Sequence, residues 1–252
     1  MPSIERYLAR IGVSAHGLEI DYPSLARLHR QHLYTIPFEN LDIIDGRPLS
    51  LDLEALADKI LDRRRGGFCY ELNGFFAWLL ESSGFSVDRL SARVVRPDTG
   101  EIGPPRDHLC LRVVADGRPW LCDVGFGRAF LEPLPLDGKG PIVNMDGGVF
   151  WLLPVDGELL LRRAVGDDEP VDLYRIDPTP RTLSDFEAMF RWHQTDPDSP
   201  FPHGPIATRA RPDGRDSARA LKVTVETGGT KEERELGSVD EVRAWIRTTL
   251  GL

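Results

Sequence analysis

Through the first 85 positions apolar residues recur three and four apart, the spacing that lines one face of a helix. Ile4, Tyr7, Leu8 and Ile11 follow Ser3, a residue suited to capping a helix start. Leu25, Leu28 and His32 make a second set, and Leu53, Leu56, Ala57 and Ile60 a third. Between these two runs Ile36-Pro37-Phe38-Glu39-Asn40-Leu41, where the proline should end a helix. A fourth helix is predicted to open at about Cys69, because Leu72, Phe75, Phe76, Leu79 and Leu80 keep the helical spacing and Gly84 supplies a stop. Cys69, three residues before Leu72, shares its inward face.

From about residue 86 the period changes to two. Val-rich, alternating runs at 91–95, 109–114, 119–124, 149–153, 158–162 and 171–176 are separated by turns such as Asp116-Gly117, Asp146-Gly147-Gly148 and Asp156-Gly157. They predict a small antiparallel barrel or curled sheet, closed off by Asp177-Pro178-Thr179-Pro180, which reads as a linker. Beyond it the pattern is mixed: a helix near 182–193, a proline-rich loop at 196–205 and strands near 206–211 and 218–226. A last helix begins with the capping box Ser238-Val239-Asp240-Glu241 and buries Val242, Trp245 and Ile246. The expected class is α+β, in three segments: 1–85, 86–178 and 179–252.

Composition acts mainly by exclusion. The chain is 41% hydrophobic and 28% charged, as globular proteins are, and no apolar run approaches the roughly 18 to 20 residues that span a bilayer. With 31 basic against 40 acidic residues the formal charge is −9, and no basic stripe interleaves with aromatics, so a nucleic acid is not an expected partner. The opening Met-Pro-Ser-Ile-Glu-Arg-Tyr-Leu lacks the basic and apolar regions of a signal peptide, which points to the cytosol. Cys69, Cys110 and Cys122 are odd in number and form no CxxC, so reduced thiols are expected rather than a disulfide scaffold or structural zinc. No cluster has metal-ligand spacing.

Arg63-Arg64-Arg65-Gly66-Gly67-Phe68-Cys69-Tyr70-Glu71-Leu72-Asn73 sets a thiol at the first turn of a helix behind two glycines. The helix N-terminus and nearby arginines would favour thiolate, and the glycines would let a substrate approach the backbone. The plain alternative is a small buried hydrophobe beside a solvated turn. Of the six histidines, His16, His29, His32, His193 and His203 suit surface or helix-packing roles. His108 opens a strand that Asp116-Gly117 returns into Trp120-Leu121-Cys122-Asp123-Val124. A two-residue loop pairs Ala115 with Arg118, sets Cys110 opposite Asp123 and leaves His108 diagonal to Asp123, on the same face and within about 7–8 Å. A buried Asp123 needs a partner, and a histidine held through Nδ1 would supply one. A structural His-Asp bond is the competing reading. Cysteine, histidine and aspartate together favour nucleophilic catalysis.

These residues resemble the arylamine N-acetyltransferase family. Ile36-Pro37-Phe38-Glu39-Asn40-Leu41, Arg65 to Asn73, Ala92-Arg93-Val94, His108-Leu109 and Asp123-Val124-Gly125-Phe126-Gly127 occur in family order over about residues 5 to 135. Asp185-Phe186 and Thr195 to Phe201 extend the likeness more thinly. The resemblance implies a helical bundle, a β-barrel and an α/β lid around a cysteine-protease-like core, with Cys69 as acetyl-accepting nucleophile, His108 as its base and Asp123 orienting His108. The implied reaction is ping-pong transfer from acetyl-coenzyme A, a co-substrate rather than a resident cofactor, to an aromatic amine or hydrazine. Phe38, Gly125 and Phe126 match positions lining the acceptor pocket and Phe201 one near the cleft, while Tyr70 and Val95 are placed there by adjacency. Two features depart from the family: Asp107 stands where threonine is common, and the third segment is short. The alternatives are a macrolactam-forming amide synthase served by an acyl carrier protein and a transglutaminase-like thiol hydrolase.

Overall fold

The computed structural model describes residues 2–166 and 168–252. The N-terminal helices are α1 (Ile4–Ile11), capped by Ser3, and α2 (Tyr22–Thr35), capped by Asp21 and ended before Pro37. A two-residue strand β1 (Phe38–Glu39) follows, then the short helices α3 (Leu41–Ile44) and α4 (Leu53–Ala57), the latter running into a π turn at Asp58–Asp62. Helix α5 (Cys69–Ser82) is the centre of this layer. Eleven of its fourteen residues are buried, so it is enclosed on nearly all sides rather than facing solvent.

Eight antiparallel strands follow: β2 (Ser86–Val94), β3 (His108–Ala115), β4 (Arg118–Cys122), β5 (Leu134–Pro135), β6 (Ile142–Val143), β7 (Gly148–Val155), β8 (Glu158–Val165) and β9 (Val171–Arg181). Their order is β5-β4-β3-β2-β9-β8-β7-β6. Leu90, Cys110, Leu121, Phe150, Leu161 and Tyr174 come from six different strands yet form one buried cluster, which requires the sheet to curl on itself. On the other face of β3, Leu109, Leu111, Val113 and Ala115 join the helical core around α5. The Asp116-Gly117 and Asp156-Gly157 turns both have positive φ at their two central residues, matching the strand twist.

The expected linker at Asp177 to Pro180 is instead the end of β9. Leu90 pairs with Pro180 and Ser91 with Asp177, the extra residues forming a bulge. Pairing with β8 stops at Ile176, so beyond it β9 has one neighbour and a free edge where Pro178 and Pro180 sacrifice no ladder bond. A 3₁₀ turn (Leu183–Phe186) leads into α6 (Glu187–Thr195). The predicted strand at 218–226 is two strands, β11 (Gly214–Arg219) and β12 (Lys222–Thr227), joined at Ala220-Leu221. With β10 (Ile206–Arg211), β13 (Thr230–Glu235) and β1 they make a five-stranded sheet, closed over by α7 (Val239–Leu250). Phe38 pairs with Thr208 and Glu39 with Ala207, so the first strand of this sheet comes from the N-terminal layer. Among the described residues no helix is long and apolar enough to cross a membrane.

Candidate active site

Cys69 is the first residue of α5, after Phe68 in extended backbone. Glu71 reaches back to accept the Phe68 N–H at 3.1 Å, so the turn that presents the thiol is held by its own helix. Gly66 and Gly67 serve packing here rather than substrate approach: a Cβ on Gly66 would lie 2.0 Å from the Pro37 carbonyl oxygen. Two of the three arginines of the motif are engaged elsewhere. Arg63 pairs with Asp58 at 2.8 Å, and Arg65 joins a buried ionic group, 2.9 Å from Glu39 and 3.1 Å from Asp42. Lys59 completes that group, 3.1 Å from Asp42 and 2.8 Å from Glu71. It ties the segment around β1 to the start of α5.

The 116–117 hairpin has the register read from sequence, with Ala115 opposite Arg118 and Leu111 opposite Cys122. His108 and Asp123 therefore meet, both buried, but the contact is 2.7 Å from Nε2 to Asp123 Oδ2 rather than through Nδ1. The diagonal separation favours the nitrogen farther from Cβ. Nδ1 is the ring nitrogen left over, and Cys69 and His108 are close enough to act on one another, His108 drawing the thiol down and Cys69 drawing the imidazole up. Asp123 collects three further donors: Tyr174 Oη at 3.0 Å, Asn73 Nδ2 at 2.8 Å and the Gly125 N–H at 2.9 Å. Asn73 also donates to the Leu109 carbonyl and accepts the Val124 N–H, locking α5 to both strands of the hairpin.

Burial opposes charge on His108, but the Asp123 carboxylate, its hydrogen bond and Cys69 together raise the imidazole to about 10. Burial also pushes the Asp123 carboxyl up, and the His108 charge with the bonds from His108, Asn73 and Gly125 brings it below its usual value. The Cys69 thiol is pushed up by burial and only partly pulled back by His108, so it stays above its usual value. His108, held against Asp123, is the group beside Cys69 best placed to take its proton. Gly125 sits directly against Cys69, since a Cβ there would lie 2.7 Å from Cys69 Cα. Phe126 packs at 5.3 Å from the His108 ring, and Phe38 and Phe201 lie 6.1 Å apart.

A match to the N-acetyltransferase family spans residues 21–252. The chain is 35% identical to the arylamine N-acetyltransferase of Mycolicibacterium smegmatis over 257 residues, covering 98% of this chain and 90% of the relative. It is 32% identical to arylamine N-acetyltransferase 1 of Homo sapiens over 84% of this chain and 79% of the relative. Among solved structures, the Mycobacterium marinum arylamine N-acetyltransferase in complex with CoA superposes with a TM-score of 0.90 at 32% identity, covering 99% of this chain and 92% of that one. The chain belongs to the arylamine N-acetyltransferase family.

Several residues of this family member lie elsewhere than the sequence suggested. Tyr70 is fully buried and donates to the Arg106 and Asp107 carbonyls, so it supports the approach to β3 rather than lining a cleft. Val95 lies just past β2, bridged to Ile102. His29, taken as a helix-packing residue, accepts the Asp123 N–H through Nε2 at 3.1 Å and lies 3.0 Å from the Leu131 carbonyl through Nδ1. Its position on the inward face of α2 was visible, but its partners 94 and 102 residues away were not. Tyr174 carried no signal beyond an alternating strand. His193, also assigned to packing, is buried against Asp107. His16 and His203 are exposed. Among the described residues no group of three or more His, Cys, Asp or Glu side chains could hold a metal ion.

Proposed function

We propose that this protein transfers an acetyl group from acetyl-coenzyme A to the nitrogen of an arylamine or hydrazine through an acetyl-cysteine at Cys69. The observation that carries this reading is the buried His108–Asp123 contact at 2.7 Å beside Cys69 at the start of α5, in a chain of the arylamine N-acetyltransferase family. The thiolate attacks the thioester carbonyl and the oxyanion meets the N–H groups of the first turn of α5, which have no intrahelical acceptor. As the carbon–sulfur bond to coenzyme A breaks, the His108 imidazolium gives its proton to the departing sulfur. The amine then attacks acetyl-Cys69, His108 takes the proton from nitrogen, and Cys69 leaves as thiolate.

Residues 1–85 supply the nucleophile, 86–178 the base and its carboxylate, and 179–252 a lid, with Phe38, Gly125, Phe126 and Phe201 around the acceptor. The complex of a relative with CoA supports the donor. The amide-synthase and hydrolase alternatives draw no support from the relatives named above. The reading places the enzyme in the cytosol. Intact-protein mass spectrometry after brief exposure to acetyl-coenzyme A without amine should show one acetyl adduct, absent in Cys69→Ser and discharged by an arylamine. An unmodified native protein whose Cys69 still alkylates readily would overturn the choice of donor.

A further inference from the structure

Asp107 and His193 form a second buried His-Asp contact beside the first. His193 Nε2 lies 3.2 Å from Asp107 Oδ1 and 3.1 Å from the Asp107 carbonyl oxygen. Asp107 Oδ2 accepts the Val94 N–H at 3.2 Å, and Tyr70 Oη donates to its carbonyl at 3.0 Å. The two side chains are 13% and 2% exposed, so a carboxylate placed here needs a donor that water does not readily supply. That donor comes from α6, 86 residues along the chain.

The contact continues away from Asp107. His193 Nδ1 lies 3.2 Å from Ser199 Oγ, which donates to the His193 carbonyl at 3.0 Å and accepts the Phe201 N–H at 3.3 Å. The Phe201 carbonyl accepts from Asn40 Nδ2 at 2.8 Å. The Phe201 ring stands 5.0 Å from His193 and 5.5 Å from Phe68, the residue before the nucleophile. One polar line thus runs from the residue in front of His108 to the backbone that sets Phe201.

We infer that Asp107 and His193 are positioning residues that, through Ser199, fix Phe201 against the Cys69 end of the cleft and so set affinity for the acceptor. The inference rests on the function proposed above. The pair makes no hydrogen bond to Cys69 or His108, and the Asp107 charge that pushes the Cys69 thiol up is kept in every variant below, so acylation should change little, whereas a mobile Phe201 would loosen the wall proposed for the acceptor. A latch that merely holds α6 in place would instead lower thermal stability and slow both half-reactions together.

The test compares His193→Phe, which keeps a ring and loses both nitrogens, with His193→Gln, which keeps a donor and an acceptor. Rates of acetyl-Cys69 formation come from mass spectrometry, and acceptor KM from steady-state turnover with 4-anisidine. His193→Phe should raise the acceptor KM about tenfold or more with acylation within about twofold of native, and His193→Gln should recover most of the loss. Ser199→Ala, which cuts the line without disturbing Asp107, should raise KM about threefold and serves if His193→Phe does not fold. Parallel loss in both half-reactions, or a native KM in these variants, overturns the inference alone. Native enzyme that takes no acetyl overturns the functional reading, and this inference with it.

Discussion

Asp123→Asn removes one charge and almost no volume, which isolates what the carboxylate does to His108. Oδ1 of Asp123 accepts from Asn73 Nδ2 and the Gly125 N–H, and Oδ2 from His108 Nε2 and Tyr174 Oη. An asparagine has one oxygen for these two pairs. The Gly125 N–H is backbone, and Asn73 is fixed by its bonds to Leu109 and Val124, so the amide oxygen must turn to that side. The amide NH₂ then faces His108, whose Nε2 must offer a lone pair, moving the ring proton to Nδ1 on the Cys69 side. A protonated neutral Nδ1 cannot take the thiol proton, and the charge that raised the imidazole to about 10 is gone. In the serine-protease triad the equivalent change costs about 10⁴ in kcat, or roughly 5.5 kcal/mol at 1.36 kcal/mol per factor of ten. The expected fall in the rate of acetyl-Cys69 formation at neutral pH is therefore about 10³ to 10⁴, with a matching loss of Cys69 alkylation. A rate within about tenfold of native would show that the tautomer argument is wrong.

Two other changes test the frame around Cys69, His108 and Asp123. Gly125→Ala places a Cβ 2.7 Å from both Cys69 Cα and Asn73 Nδ2, where the first is backbone and cannot swing away. A loss of about 1–3 kcal/mol in denaturant unfolding is expected, together with slower acylation, and an unchanged midpoint and rate would refute the close approach. His29 is lowered from 6.5 to about 4, first by burial, against the pull of its bonds to Leu131 and Asp123. Its unfolded form binds a proton first, so its contribution is whole above pH 6.5 and is lost as the pH falls through about 4, on the order of 3 kcal/mol. His29→Gln should flatten the acid limb of a Tm-against-pH curve. An acid limb as steep as that of the native protein would show that His29 is not buried neutral.

What the sequence disclosed were features carried by local pattern. Helix α5 declares itself because five large apolar residues repeat at helical spacing behind two glycines, and the 116–117 hairpin because Asp-Gly with alternating flanks admits one register. From that register alone His108 and Asp123 fall on one face. Strand β13 was not expected because Thr230 to Glu235 is exposed throughout and has no apolar alternation; it is held by the ladder to β12 and the Lys222–Glu233 ion pair. The β11–β12 turn was missed because Ala220 adopts a positive φ that its residue type does not announce. The prolines of β9 read as a linker because sequence does not show which edge of a strand is free.

The charged residues of the two most conspicuous motifs carried the opposite lesson. Arg65 was expected to favour a thiolate at Cys69, yet it is spent, with Glu39, Asp42, Lys59 and Glu71, on joining β1 to the start of α5. Their mutual pairing leaves Cys69 to draw on His108 alone. Around Asp123 the same residue type is driven in opposite directions: His108 bonds the carboxylate and is raised, while His29 bonds the Asp123 backbone N–H and the Leu131 carbonyl and is lowered. Burial is complete for both, so it cannot be what separates them. The separation comes first from which atom of one aspartate each ring faces, and then from Cys69, which adds to the rise at His108. That division keeps a single positive charge beside the thiol, where it offsets the carboxylate, and excludes a second one that would compete for it.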